Sequence, residues 1–175
     1  TKDPAFAPAA AQQMLDQQDL DFPFSRLALQ INQAMPLHTM ARLTGLLGGS
    51  CLEKKILLLG VSYRQDVGDT RYSPVETLAH ALLQAGAEVQ AFDPFVTEWP
   101  EMDWQLPSQL PSPMSFDAVV FATPHRDFLE LDLASWLGDS RPIVLDAINA
   151  VAKSKRDRCR QFGIQIESIG RGDGL

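Results

Sequence analysis

The sequence predicts an α/β fold, a Rossmann-like parallel sheet with helices on both faces, preceded by an α-helical connector segment. Three observations lead to this fold class. Short, continuous apolar runs such as residues 56–59 have the pattern of strands that are covered on both faces. Helical patterns alternate with these runs, as in βαβ units. Polar side chains directly follow several of the runs, at the strand ends where open parallel sheets bind ligands.

Residues 1–50 contain two helical patterns and are expected to form a segment separate from the sheet domain, to which we assign residues 51–175. Residues 4–18 are rich in alanine and predict the first helix. Across residues 24–47, apolar residues recur with helical spacing, which predicts a long helix with a kink at Pro36. This apolar stripe fits packing on its own domain or contact with a second copy of the chain, and periodicity does not choose between them.

The clearest βαβ unit begins with a strand at 56–59 and closes with a strand at 88–92. The start of the helix between them is predicted by three residues: Ser73 as N-cap, Pro74 at the first helical position and Glu76 to close a capping box. Gly86 predicts a left-handed stop at the end of this helix.

The rest of the chain continues the alternation of strands and helices. Residues 97–116 contain several prolines and are predicted to form a loop. Beyond it the patterns predict, in order, a strand at 118–121, a helix at 128–137, a strand at 143–145, a helix at 153–162 and a strand at 164–169. In a parallel sheet, the residues expected at the carboxyl ends of strands are Tyr63, Asp93, His125 and Asp146.

Composition and charge argue against several classes of function. The 175 residues suffice for one α/β domain with a helical appendage. The net charge is −7 and no basic run occurs, so nucleic acid is not expected as a partner. No apolar run reaches the roughly 18 residues of a membrane span and no signal peptide is visible, so we expect a cytoplasmic protein without a membrane partner. Cys51 and Cys159 show no metal spacing, and neither a metal nor a disulfide is predicted.

The polar loop of the first βαβ unit has the residues best suited to binding a ligand. It lacks the Gly-x-Gly-x-x-Gly pattern that lets a dinucleotide pyrophosphate approach the backbone, so NAD is not expected there. It offers two cations, two carboxylates and an aromatic ring: Arg64, Arg71, Asp66, Asp69 and Tyr63. Arginine forks beside a helix N-terminus suit phosphate, and an aromatic face suits a base. The other interpretation is that these charges pair with one another and only solvate the loop.

His125 follows a predicted strand and fits two roles. A histidine there can act as a general base or phosphate donor, or it can hydrogen-bond to a neighbouring loop. No Ser-His-Asp arrangement is visible and the sequence shows no partner for His125, so we favour the structural role. His38 and His80 occur in helical patterns with polar neighbours and are expected to face solvent.

Five stretches of the chain form a set of motifs in a fixed order. Gly60–Pro74 is similar to Gly-hydrophobic-Ala-aromatic-Lys-x-Asp-x-x-Asp-x-Arg-x-Ser-Pro. Val89–Val96 resembles a strand with an Asp-Pro ending, and Asp117–Phe128 is similar to DAVVxxTxHxEF. Pro142–Asn149 is placed like a strand that ends in Asp-x-Arg-Asn, and Ile31–Pro36 is similar to Asn-x-x-Met-Pro. Together they resemble the UDP-glucose/GDP-mannose dehydrogenase family, from its central helix through its C-terminal UDP-binding domain.

This resemblance implies an NAD-dependent oxidation at C6 of UDP-glucose or a UDP-N-acetylhexosamine, from alcohol to carboxylate, in nucleotide-sugar metabolism and polysaccharide biosynthesis. It implies that this chain holds the UDP part of the substrate, with Tyr63 against uracil or ribose and Arg64 on the diphosphate. Three further residues would shape the loop: Asp69, Arg71 and Ser73. The resemblance also implies a homodimer formed through the helix at 24–47.

Thr1–Pro4 resembles the tail of the family's catalytic motif, Gly-x-Gly-Gly-x-Cys-x-x-Lys-Asp-Pro. On this resemblance Lys2 and Asp3 are catalytic, the lysine steadying an oxyanion and the aspartate ordering water. The nucleophilic cysteine and the NAD-binding domain would then precede residue 1, and this chain alone would be inactive. Taken without the other motifs, Thr1–Pro4 is more typical of a helix N-terminus.

Two residues depart from the family pattern. Arg64 stands where lysine is usual, and Ile148 stands where an arginine usually reaches toward the nucleotide. Loss of such a charge-assisted contact costs roughly 1.5 to 3 kcal/mol, so weakened nucleotide binding is an open outcome. Compensation depends on whether the fold brings other polar residues near: Asn149, Arg156 or Arg158. A noncatalytic nucleotide-binding module or a dimerisation module therefore remains an alternative function.

Overall fold

The computed structural model describes residues 22–170, together with residues 6, 9–11 and 13. The predicted helix at 4–18 lies largely outside this part of the chain, although the described residues within it are helical. Lys2 and Asp3 lie outside the described residues, so their catalytic role remains a prediction.

Residues 22–170 contain seven strands, and five of them form one parallel sheet. They are β1 (Lys55–Leu59), β2 (Glu88–Phe92), β3 (Glu98–Trp99), β4 (Trp104–Gln105), β5 (Ala118–Phe121), β6 (Ile143–Asp146) and β7 (Ile166–Ser168). The sheet has the order β2-β1-β5-β6-β7, while β3 and β4 form a separate antiparallel hairpin. Because β2 lies on one side of β1 and β5 on the other, the topology switches direction between β1 and β5.

Helices cover both faces of the sheet, as predicted. They are α1 (Pro23–Leu46), α2 (Pro74–Gln84), α3 (Arg126–Glu130), α4 (Leu133–Leu137) and α5 (Lys153–Gln161). Side chains from α1 and α2 pack with one apolar cluster, and side chains from α3, α4 and α5 pack with the other. The free thiols of Cys51 and Cys159 are buried in these two different clusters. No helix in the described ranges is long and apolar enough to cross a membrane.

The start of α2 confirms one prediction and corrects another. Ser73 is the N-cap, and its Oγ accepts a hydrogen bond from the Val75 amide at 3.3 Å. The predicted capping box is wrong, because the Ser73 amide donates to the Thr70 carbonyl at 3.1 Å instead of to Glu76. The local turn before the helix therefore competes successfully for the donor that a capping box requires.

Two predictions of element boundaries are wrong. Residues 97–116 are not entirely a loop, because Trp99 and Trp104 pair across the β3–β4 hairpin with ring centroids 5.6 Å apart. Burial of Trp99 against the half-buried Trp104 favours this hairpin in spite of its neighbouring prolines. The single helix expected at 128–137 is two helices, because Asp132 caps α4 by accepting from the Ser135 amide at 3.3 Å.

Helix α1 continues through Pro36, and the kink expected there stays a prediction. Near its C-terminal end, Leu43 is fully buried in the same cluster as α2. Toward its N-terminal end, Phe24, Leu27 and Ile31 are exposed on the described surface. The end of α1 thus shares a core with the sheet, and the division into 1–50 and 51–175 remains a prediction.

Candidate functional site

The candidate site lies at the carboxyl edge of the sheet, beside the topological switch. We call residues 60–73, which connect β1 to α2, the β1–α2 loop. Gly60 begins the loop with a φ of +90°, and a Cβ on it would lie 2.4 Å from Thr123 Cβ. A Cβ on Gly68 would lie 2.5 Å from the carbonyl oxygen of Phe95. The loop therefore needs glycine at both points to pack closely against the ends of the neighbouring strands.

Asp93, which follows β2, anchors the start of this loop from a buried position. Its Oδ2 accepts hydrogen bonds from the Val61 amide at 2.8 Å, the Ser62 amide at 3.0 Å and Ser62 Oγ at 2.8 Å. Its Oδ1 accepts from the Phe95 amide at 2.9 Å. Burial raises the pKa of Asp93, but hydrogen bonds led by that from His125 outweigh burial and lower the pKa from 3.8 to about 2. The charged carboxylate is thus fully engaged in holding the loop.

His125, which follows β5, is fully buried and joins Asp93 to the middle of the β1–α2 loop. Its Nδ1 lies 2.9 Å from the Asp66 amide nitrogen, and its Nε2 lies 3.0 Å from Asp93 Oδ2. The rings of Phe95 and Phe128 pack on the imidazole, with centroid distances of 5.1 and 5.6 Å. The structural role favoured from the sequence is confirmed. His38 and His80 are exposed, as expected.

Arg126 is a residue of the site that the sequence reasoning missed. Its amide donates to Asp66 Oδ1 at 2.9 Å, and its Nε donates to Asp66 Oδ2 at 2.7 Å. These hydrogen bonds lower the pKa of Asp66 below its usual value, and Asp66 in turn raises the pKa of Arg126. The two residues are 60 positions apart in the chain. No local pattern could have revealed this contact.

The structure separates the predicted UDP-binding residues into three groups. Tyr63 and Arg64 are exposed on the β1–α2 loop, and within the described part of the chain no carboxylate pairs with Arg64. Arg71 binds Asp69 through two contacts, Nε to Oδ1 at 2.9 Å and Nη2 to Oδ2 at 2.8 Å. Ser73 is buried as the cap of α2. The interpretation in which the loop charges pair with one another therefore holds for Asp69 and Arg71 but not for Arg64.

Ile148 stands where the family has an arginine, and the residues near the end of β6 show whether another cation takes its place. Ile148 is half-buried and packs against the apolar cluster beneath α3, α4 and α5. Arg156 Nη2 lies 2.6 Å from Asp146 Oδ2, and the guanidinium also donates to oxygens of Asn149, Val151 and Ser168. Arg158 pairs with Asp132 at 3.0 Å. Both arginines are thus already paired with carboxylates, Arg156 with a buried one and Arg158 with an exposed one.

The exposed cation of the β1–α2 loop suits an anionic ligand. Among the described residues, no group of three or more His, Cys, Asp and Glu side chains is arranged to hold a metal ion. Thr123 packs closely against Gly60, and its Oγ1 donates to the Ser62 carbonyl at 2.9 Å. The loop has no Gly-x-Gly-x-x-Gly turn, and the expectation that NAD does not bind there stays a prediction. An exposed guanidinium beside an aromatic ring remains available for a nucleotide.

Comparison with known families gives one match that spans this site. Residues 57–153 match the model of the UDP-glucose/GDP-mannose dehydrogenase family, UDP binding domain. The matched range contains the whole β1–α2 loop together with Asp93, His125 and Ile148.

Individual relatives match over most of the chain. The UDP-glucose 6-dehydrogenase of Rickettsia felis is 25% identical over 171 residues, which cover 92% of this chain and 37% of the relative. UDP-glucose 6-dehydrogenase 4 of Oryza sativa is 31% identical over 171 residues, with coverages of 82% and 35%. The structure of NDP-N-acetyl-D-galactosaminuronic acid dehydrogenase from Methanosarcina mazei matches with a TM-score of 0.80 and 26% identity, over 98% of this chain and 37% of that one. The chain thus spans little more than a third of these relatives.

Proposed function

Because the chain belongs to the UDP-glucose/GDP-mannose dehydrogenase family, we propose that its β1–α2 loop binds the UDP part of a nucleotide-sugar substrate. The observation that carries this proposal is the exposed guanidinium of Arg64 next to Tyr63, at the switch point of the sheet; no carboxylate of the described residues pairs with it. Ligands of open α/β sheets bind outside the carboxyl ends of strands at such a point.

The residues of the loop have complementary roles in this proposal. Arg64 contacts the diphosphate, because a planar guanidinium can donate two parallel hydrogen bonds to phosphate oxygens. Tyr63 offers a half-exposed ring to uracil or ribose. The Asp69–Arg71 pair forms an exposed part of the loop, and Ser73 shapes the loop by capping α2.

For the longer enzyme we propose an NAD-dependent UDP-sugar 6-dehydrogenase that acts on UDP-glucose or a UDP-N-acetylhexosamine. NAD, when bound, accepts the hydrides removed as the C6 alcohol becomes a carboxylate. Lys2 and Asp3, outside the described residues, would steady an oxyanion and order water in that reaction. This chain holds the nucleotide end of the substrate so that C6 stays in place through both oxidation steps.

A second candidate function, a dimerisation module, is favoured by one observation on α1. Phe24, Leu27 and Ile31 recur with helical spacing, and all three are exposed. We propose that the helix at 24–47 joins two copies of the chain in a homodimer, which is compatible with nucleotide binding. We also propose a cytoplasmic location, where two separate free thiols such as Cys51 and Cys159 remain reduced.

The nucleotide-binding proposal is tested first with Arg64→Gln. We expect UDP to bind the wild-type chain and the substitution to weaken binding about 10- to 100-fold, because a charge-assisted hydrogen bond contributes roughly 1.5 to 3 kcal/mol. Isothermal titration calorimetry with UDP, and with GDP and NAD for comparison, provides the dissociation constants.

The matched control is Arg160→Gln, which removes the same charge from an exposed arginine whose only described ion pair is with Asp157 on the same helix. Its affinity for UDP should equal that of the wild type. Equal affinities for the Arg64 and Arg160 variants would place the diphosphate somewhere other than Arg64. Tighter binding of NAD than of UDP would contradict the interpretation of the loop.

Ile148→Arg tests whether the missing cation weakens the site. The half-buried position can hold the aliphatic stem of arginine while the guanidinium reaches solvent. We expect UDP affinity to rise about tenfold, the lower end of what one charge-assisted contact supplies. Ile148→Met is the control, because it is long and apolar but uncharged. A similar affinity for both variants would show that this position does not face the diphosphate.

A further inference from the structure

The hydrogen bonds of His125 fix which ring nitrogen carries the proton. A backbone N–H can only donate, so the 2.9 Å contact from the Asp66 amide makes Nδ1 an acceptor without a proton. In the neutral ring the proton then lies on Nε2, which donates to the Asp93 carboxylate 3.0 Å away. Two independent partners therefore specify the same neutral tautomer.

These two partners hold opposite ends of a short segment. Asp93 binds the amides of Val61 and Ser62, just before Tyr63. Asp66, which His125 holds, lies two residues after Arg64 and has a positive φ of 56°. The backbone is therefore held on both sides of residues 63–65, by Asp93 before them and by His125 at Asp66 after them, and His125 also binds Asp93.

The environment of the imidazole supports positioning rather than proton transfer. His125 has no solvent exposure, and the rings of Phe95 and Phe128 pack against it. A second link, between Asp66 and Arg126, attaches the same point of the loop to the start of α3. The loop backbone next to Arg64 is therefore fixed from the β5 side of the switch point.

We propose that His125 is a positioning residue for nucleotide binding, which acts by accepting a hydrogen bond from the Asp66 amide at Nδ1 and so fixing the backbone that carries Tyr63 and Arg64. The inference rests on the proposed function of the β1–α2 loop. A loop fixed before the ligand arrives loses less conformational entropy on binding, and this raises affinity without any contact between His125 and the nucleotide.

Two substitutions separate the ring nitrogens. His125→Asn places an amide oxygen near the position of Nδ1 and keeps an acceptor for the Asp66 amide. His125→Gln places an amide donor near the position of Nε2 and keeps the contact with Asp93. For the folded variants we expect His125→Gln to weaken UDP binding about tenfold and His125→Asn to stay within about threefold of the wild type. If His125 only stabilises the fold, the UDP affinity of both variants should instead fall in proportion to the fall in their thermal unfolding midpoints.

The measurements are UDP titration calorimetry, thermal unfolding and amide hydrogen exchange of the 175-residue chain. In the wild type the Asp66 amide should exchange slowly, and in His125→Gln it should exchange quickly. Rapid exchange of this amide in the wild type would overturn the inference even if neither variant folds. If the wild type binds UDP and His125→Gln binds it equally well, His125 positioning is wrong and the proposed function stands. If the wild type does not bind UDP, the proposed function itself fails.

Discussion

Gly60→Ala is expected to destabilise the protein by about 2 to 5 kcal/mol. The added Cβ would lie 2.4 Å from Thr123 Cβ and 2.9 Å from the Thr123 amide nitrogen, and the φ of +90° is itself unfavourable for alanine. Thr123 cannot easily move aside, because its amide donates to the Leu59 carbonyl and its Oγ1 donates to the Ser62 carbonyl. Urea unfolding followed by circular dichroism measures the loss.

Gly48→Ala is the matched control for backbone strain. Gly48 has a φ of +84°, close to that of Gly60, but a Cβ on it would have no heavy atom within 4 Å. The free energy of unfolding of Gly48→Ala should therefore fall only by the cost of placing alanine at a positive φ, about 1 to 2 kcal/mol. The difference between the two variants measures how tightly the β1–α2 loop packs on the end of β5. Equal losses would mean that this close approach is absent in solution.

Asp93→Asn is expected to cost about 3 to 5 kcal/mol at neutral pH. The carboxylate accepts hydrogen bonds at both oxygens, from Ser62 and His125 at Oδ2 and from Phe95 at Oδ1. An amide has only one oxygen, so one buried donor must face its NH₂ group, and the remaining bonds lose their charge assistance. Denaturant unfolding gives the free energy, with the exposed Asp139→Asn as control.

The same carboxylate predicts the direction of a pH dependence. The pKa of Asp93 is about 2 in the folded protein, below the ordinary 3.8, so ionised Asp93 stabilises the fold above pH 4. This contribution, about 2 kcal/mol, is lost as the pH falls from 4 toward 2. The difference in stability between the wild type and Asp93→Asn should therefore shrink across this window. A constant difference would contradict the low pKa of Asp93.

Much of the fold follows from local patterns in the sequence. The strand at β1, the helix start at Ser73 and the helix stop at Gly86 are all present, because strand burial and helix capping depend on residues that are neighbours in the chain. The errors occur where one local interaction outweighs another. In the β3–β4 hairpin, packing of Trp99 on Trp104 outweighs the loop preference of the neighbouring prolines.

The sequence by itself determined the α/β class, the order along the chain of the strands of the main sheet, the family resemblance and the loop that carries Arg64. Only the tertiary structure decided which charges of that loop stay available, because this depends on partners from other strand ends. Asp66 is bound by Arg126, 60 residues away, and Asp93 is held by His125, 32 residues away. Such contacts leave no local pattern in the sequence, since chain folding alone brings the carboxyl ends of parallel strands together at one edge.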